Sequence, residues 1–162
     1  MILRCTGKVR ALLGAGEVVD VPAGIHDWYL NLIWIERRKC LLLTHAGTVF
    51  SVFAADVRKA DLAQPGAWAS ATIEAALHAE GLPDDALGDL DPLNVTIAKT
   101  ASRQTLGYMN DLAMHAEHEI AQAGGLGRCD IEALNFRLRR TLHNHDGIYA
   151  NPLELVAARA EN

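Results

Sequence analysis

Trp28-Tyr29-Leu30-Asn31-Leu32-Ile33-Trp34-Ile35, then Cys40-Leu41-Leu42-Leu43-Thr44, then Thr48-Val49-Phe50-Ser51-Val52-Phe53 are three apolar runs of strand length, and they decide the fold. Glu36-Arg37-Arg38-Lys39 joins the first to the second, and His45-Ala46-Gly47 joins the second to the third. Connections this short join neighbouring strands antiparallel, because a parallel pair needs a long crossover. Residues 28–53 therefore predict an antiparallel meander. The first run is apolar at both odd and even positions except Asn31, which predicts a central strand covered on both faces.

Upstream, Met1-Ile2-Leu3-Arg4-Cys5-Thr6 predicts a further strand, and Thr6 can cap a short helix that Gly14-Ala15-Gly16 ends. Downstream, Trp68, Ile73, Ala76 and Leu77 predict a helix from about 67 to 80, stopped by Gly81 and Pro83. Val95-Thr96-Ile97-Ala98 reads as another strand. Ser102 caps the longest predicted helix, from about 103 to 123, with Leu106, Met109, Ala113, Ala116 and Ile120 on its buried side. Asp130 opens a helix carrying Ile131, Leu134, Leu138 and Leu142, and Pro152 opens a last one. The expected architecture is α+β. An antiparallel sheet of about three to five strands packs with three to five helices, most of them C-terminal, in one globular domain over residues 1–162.

Half of the 162 residues are apolar and 22% are charged, enough to build a core. Cys5, Cys40 and Cys129 form no close pair, so neither a disulfide framework nor a C-x-x-C site is indicated. No segment reaches the roughly 18 consecutive apolar residues of a membrane span. A cytoplasmic protein without cofactor or bound metal is the resulting expectation. The net charge of −5 is unevenly spread. Residues 1–60 carry eight Lys/Arg against five Asp/Glu, whereas residues 61–97 carry no Lys/Arg and seven Asp/Glu.

The cations define the first candidate site. Arg37, Arg38 and Lys39 stand together at a hairpin tip, Arg58 and Lys59 follow the meander, and Lys99 and Arg103 flank the start of the longest helix. Arginine offers a planar fork and lysine a point charge to phosphate, and a helix N-terminus favours an anion. Against this stands simple solvation, since a tip between buried strands must be charged in any case. Trp28, Tyr29 and Trp34 can stack a base, but aromatics in an apolar strand are ordinarily core.

Asp111, His115, His118 and Glu119 share one face of the longest helix, a ligand-like set that matches no zinc motif and lies where polar residues belong anyway. His143-Asn144-His145-Asp146 reads as the polar end of the following helix rather than as a nuclease motif. Gly124-Gly125-Leu126-Gly127 reads as a helix stop, and no serine lies in a G-x-S-x-G elbow.

Met1 to Thr6, Trp28 to Thr44 with Glu36-Arg37-Arg38-Lys39 inside it, and Val57-Arg58-Lys59-Ala60-Asp61-Leu62 resemble an uncharacterised family of small bacterial proteins. Arg103, Leu106-Gly107 and Met109-Asn110-Asp111-Leu112 are similar to the last motif of the same family, a domain of unknown function. The resemblance implies a bacterial source and draws attention to the basic tip, Arg58-Lys59 and Asn110-Asp111, but transfers no activity.

Two readings stay open at this point. One is a small regulatory or interaction domain, of a stress, mobile-element or defence context, that binds a protein or nucleic-acid partner. Its contacts would be Arg37, Arg38, Lys39, Arg58, Lys59, Lys99, Arg103, Asn110 and Asp111, with the acidic 80–91 loop free to meet a basic partner. The other is a metal-independent phosphodiesterase or ribonuclease, with His26 transferring protons and Arg37 and Arg103 stabilising charge on phosphate. An exposed edge of the meander would also allow a homodimer.

Overall fold

The meander runs through β2 (Trp28–Ile35), β3 (Arg38–His45) and β4 (Ser51–Ala54), paired antiparallel from Trp28↔His45 to Ile35↔Arg38 and from Thr44↔Ser51 to Leu41↔Ala54. The computed structural model describes residues 1–145 and 147–160. The third strand is shorter than the apolar run. Thr48 to Phe50 instead close a tight turn, with Val49 at φ 58° and its N–H donating to the His45 carbonyl. At the other hairpin, Glu36 and Arg37 occupy the left-handed region with φ of 50° and 63°. This is the two-residue mirror-type turn whose twist matches the strands it joins.

The sheet is mixed rather than antiparallel throughout. Its order is β4-β3-β2-β1-β5, with β1 (Ile2–Cys5) parallel to β2 on one side and to β5 (Thr96–Lys99) on the other. The parallel pairs are made by the long connections, which short-turn logic does not reach. α1 (Gly7–Leu13) with the following loop separates β1 from β2, and α2 (Pro65–Ala79) with the acidic loop separates β4 from β5. β2 is the middle strand of five, as its two-sided apolarity requires. Nor are the helices mainly C-terminal, since α1 and α2 alternate with the strands.

Strand alternation sends side chains to two separate cores. Leu3, Cys5, Trp28, Leu30, Leu32, Leu41 and Leu43 pack with Val9 of α1 and Ile73 and Leu77 of α2. Tyr29, Ile33, Leu42 and Phe53 pack with Met109, Leu112, Ala116 and Ile120 of α3 (Arg103–Gln122) and with Leu134 and Leu138 of α4 (Ile131–Leu138). The result is three layers, helices on both faces of one sheet.

α3 runs alongside β2. Its N-cap, Ser102, donates its N–H to the Tyr29 hydroxyl near the start of β2, and just past its end the Leu126 N–H meets Glu36 at the tip. α4 stops at Leu138, and a small hairpin follows, β6 (His143–His145) with β7 (Ile148–Ala150), before α5 (Pro152–Ala160).

Candidate functional site

Arg37 and Arg38 are exposed and Lys39 is half-buried, and neighbours engage the last two. Arg38 lies 3.6 Å from Asp56, and the Lys39 ammonium sits 5.5 Å from the centre of the Trp34 ring. Glu36 turns inward instead. Its Oε1 accepts the Leu126 N–H at 3.1 Å and fills the space above Gly125, where a Cβ would come within 2.5 Å of it. Arg58 and Lys59 belong to the same end of the sheet, because the Val57 N–H donates to the Lys39 carbonyl at 2.8 Å. Arg37, Arg38, Lys39, Arg58 and Lys59 thus form one basic end.

Lys99 and Arg103 do not join them. Lys99 is level with Cys5, which is level with Leu30, five residues short of Ile35. At about 3.3 Å per residue that is roughly 17 Å along the strands. Arg103 is at the far end of α3, and a 20-residue helix spans about 30 Å. Asn110 and Asp111 lie exposed between them on α3.

Arg37 is likewise apart from His26 and Arg103. The eight residues of β2 separate His26 from Arg37 by about 26 Å at strand rise. His26 lines a hollow of about 450 Å³ with Gly88, Asp89 and Asn94, and its ring lies 6.1 Å from that of buried His45.

The polar face of α3 is an interaction chain rather than a ligand shell. His115 Nε2 meets Glu119 Oε1 at 2.9 Å, and Arg137 Nε donates to Glu119 Oε2 at 2.6 Å. The Arg137 hydrogen bond holds the Glu119 carboxyl below its ordinary value, outweighing partial burial. Among the described residues no three His, Cys, Asp or Glu side chains are arranged to hold a metal ion.

His143-Asn144-His145 is a strand and not a helix end, because α4 has already closed at Arg139 and Gly147, at φ 88°, turns the chain back. This hairpin leans on α3, where Tyr108 donates its hydroxyl to the Asn144 carbonyl, meets His143 edge-on and stacks with His145. Burial lowers the His143 pKa, opposed by Asp111. Asp146 lies outside the described residues.

A larger hollow was not in view from the sequence. About 870 Å³ lie between α2 and α4, over Val52 at the sheet edge. One wall is Trp68, Ala71, Thr72, Ala75 and Ala79, and the other is Ala133 and Phe136 with the charged Asp130, Glu132 and Arg137. The helices are clamped where they end. Arg139 Nε donates to Glu80 Oε1 at 2.6 Å, and Arg140 donates to both Glu80 oxygens, at 3.1 and 2.7 Å. Burial alone would raise the Glu80 carboxyl, but the hydrogen bonds from Arg140 and Arg139 outweigh it and hold it below its ordinary value. Asn135 covers the strand edge, accepting the Phe53 N–H at 2.7 Å and donating to the Phe53 carbonyl at 2.8 Å.

Residues 2–155 match the family model described as a domain of unknown function, DUF6933. The chain belongs to this family. The match takes in every strand and four of the five helices whole, so the hairpin tip and the α2–α4 groove are both parts of the family's domain. No curated protein matches the chain.

The groove had one sequence signal. Ala71, Ala75 and Ala79 recur every four residues on α2, beside the buried Ile73, Ala76 and Leu77. Alanine is at home in a core and on a surface alike, so a second apolar stripe made of it does not announce an open face. The Glu80 clamp joins residues 59 and 60 positions apart, and no local pattern reports that.

Proposed function

We propose that this protein is an interaction domain that takes an amphipathic helix with a basic rim from a partner protein into the α2–α4 groove. The groove carries the reading. It has the size of a binding site, with an apolar floor of alanines, Trp68 and Phe136 and a charged margin of Asp130, Glu132 and Arg137. Strand addition is disfavoured, because Asn135 already occupies the outward backbone groups of Phe53. A helix suits the site better, since the alanines at 71, 75 and 79 allow close approach and Trp68 and Phe136 offer aromatic contact.

Charge supports a basic partner. Residues 61–97, which include α2 and the loop beyond it, contain seven acids and no Lys or Arg, and Glu132 is exposed on the opposite wall. A phosphodiesterase built on His26, Arg37 and Arg103 would need those residues together, and the placing of Arg37 at the opposite end of the sheet from the other two makes binding the better-supported reading. Nucleic acid as the partner would use the basic end instead.

The test is a photo-crosslinking residue placed at Ala75 and, separately, at Arg37, in full-length protein exposed to cell extract. Crosslinks from position 75 to a Lys- or Arg-rich helical segment, lost in Ala71→Trp, support the reading. Crosslinks confined to position 37, or capture that survives Ala71→Trp and Ala79→Trp together, would assign the contact to the basic end.

A further inference from the structure

A second, smaller cavity lies at the end of the sheet opposite the tip, where α3 begins and α5 crosses. It measures about 260 Å³, and Tyr29, Gly47, Ser102, Gln104, His145 and Arg159 are among the residues lining it. Among the described residues its lining includes no aspartate or glutamate.

Arg159 is the unusual member. It is partly buried, and among the described residues no carboxylate pairs with it and no acceptor receives its N–H groups. Its guanidinium lies directly on Gly47, where any Cβ would strike it and would stand 2.6 Å from the Ile25 carbonyl. Burial without a counter-charge lowers the Arg159 pKa. A guanidinium in this condition lacks the anion that ordinarily accompanies a desolvated charge.

Tyr29 is the second observation, on a different element. Its side chain is entirely buried, and its hydroxyl accepts the Ser102 N–H at 3.1 Å. That bond leaves the phenolic proton to donate, and among the described residues no acceptor receives it. The first turn of the 20-residue α3 adds its outward N–H groups and the positive end of its dipole. Arg103 is an exposed cation on that same turn.

We propose that this cavity binds one phosphate group, held by the Arg159 fork, the Tyr29 hydroxyl and the first turn of α3. The size admits a phosphate with a few further atoms, so either inorganic phosphate or a small phosphomonoester would enter. This site is separate from the α2–α4 groove and stands or falls independently of it.

Thermal unfolding of the full-length protein in phosphate, at constant ionic strength set with chloride, gives the first test. Phosphate at 10 mM is expected to raise Tm relative to chloride, and a short-chain phosphomonoester is expected to do so at lower concentration if the ester is the preferred form. The phosphate response should vanish in Arg159→Gln and fall several-fold in Tyr29→Phe, while Arg37→Gln at the tip keeps it. Broadening of the ³¹P signal of phosphate by folded wild-type protein, relieved in Arg159→Gln, checks the same site without unfolding. Should Arg159→Gln fail to fold, Tyr29→Phe and the wild-type ³¹P signal decide. No difference between phosphate and chloride up to 50 mM, or a response unchanged in the Arg159 and Tyr29 variants, would overturn the proposal.

Discussion

The two ends of the sheet carry charge in opposite ways. At the tip, Arg37 and Arg38 are exposed and Lys39 half-buried, and what contacts they make are weak: Arg38 with a solvated Asp56 and Lys39 with the Trp34 ring. At the other end, beside the exposed Lys99 and Arg103, one cation is buried. Arg4, 1% exposed, donates to Asp27 at 2.5 Å, to the Lys99 carbonyl at 2.8 Å and to the Val21 and Pro22 carbonyls at 2.8 and 2.7 Å. Asp27 in turn accepts the Gly24 N–H at 2.8 Å. One end therefore spends its charge on water, and the other uses it to hold the long loop after α1 against the sheet. Counting cations points to the first end, whereas weighing their desolvation points to the second.

The strongest way to break this contrast is to remove Arg4. Arg4→Met is expected to leave Asp27 charged and buried without its partner, and to leave three carbonyls without donors. Breaking a buried pair from one side costs about 3–5 kcal/mol. For a chain of this size that lowers Tm by about 10 °C or more. The double charge reversal Arg37→Glu, Arg38→Glu should shift stability by no more than about 0.5 kcal/mol, as exposed substitutions do. Equal losses in denaturant titrations of the two variants would end the distinction between the ends.

A second contrast appears in pH dependence. His45 is wholly buried, with Nδ1 at 2.9 Å from the Thr48 hydroxyl and Nε2 without a partner among the described residues. Burial first, then Arg159 and His26, push its pKa from 6.5 down to about 3. The unfolded chain therefore takes up a proton below pH 6.5 that the folded chain refuses. The stability linked to His45 is complete above that pH and is lost as pH falls toward 3. By pH 5 the loss from this one group is about 2 kcal/mol, at roughly 1.4 kcal/mol per pH unit. His143, also lowered by burial, adds to the slope, so the informative quantity is the difference between wild type and His45→Leu. Parallel profiles of Tm between pH 7 and 5 would show that His45 is more solvated than its packing indicates.

How much of this was legible follows from what each feature depends on. The meander, the Ser102 and Asp130 caps and the central place of β2 depend on residues within a few positions of one another, and the sequence displays them. The parallel neighbours of β2 depend on two long connections, whose course no local pattern records. The same holds for the site residues. The basic end was visible because Arg37, Arg38 and Lys39 are consecutive and Arg58-Lys59 follows the meander. Arg4 with Asp27, Glu80 with Arg139 and Arg140, and Arg159 over Gly47 join residues 23 to 112 positions apart. Each is created by the topology, and each reads alone as an ordinary surface charge. An anion site at the helix N-terminus beside Arg103 was expected to draw on the tip cations, but these lie about 30 Å away along α3.

The smallest expected effect has the opposite sign, and it sharpens the comparison most. Arg37 holds a left-handed backbone at φ 63°, a conformation that costs a side-chain-bearing residue about 1 kcal/mol and glycine almost nothing. Its neighbour Glu36, at φ 50°, earns its place through the bond to the Leu126 N–H, and Glu36→Gly should lose that bond along with the strain. No hydrogen bond or ion pair of this kind holds the Arg37 side chain among the described residues. Arg37→Gly should therefore raise stability by up to about 1 kcal/mol, since the relief of strain exceeds any loss of contact. Glycine also frees the unfolded chain, which brings the net gain below the full strain energy. A rise in Tm with Arg37→Gly and none with Glu36→Gly would show that the tip keeps arginine at the expense of its own fold, and so for something outside it. A fall in Tm with Arg37→Gly would instead make Arg37 a structural residue, and the contrast between a solvated end and a structural end would no longer hold.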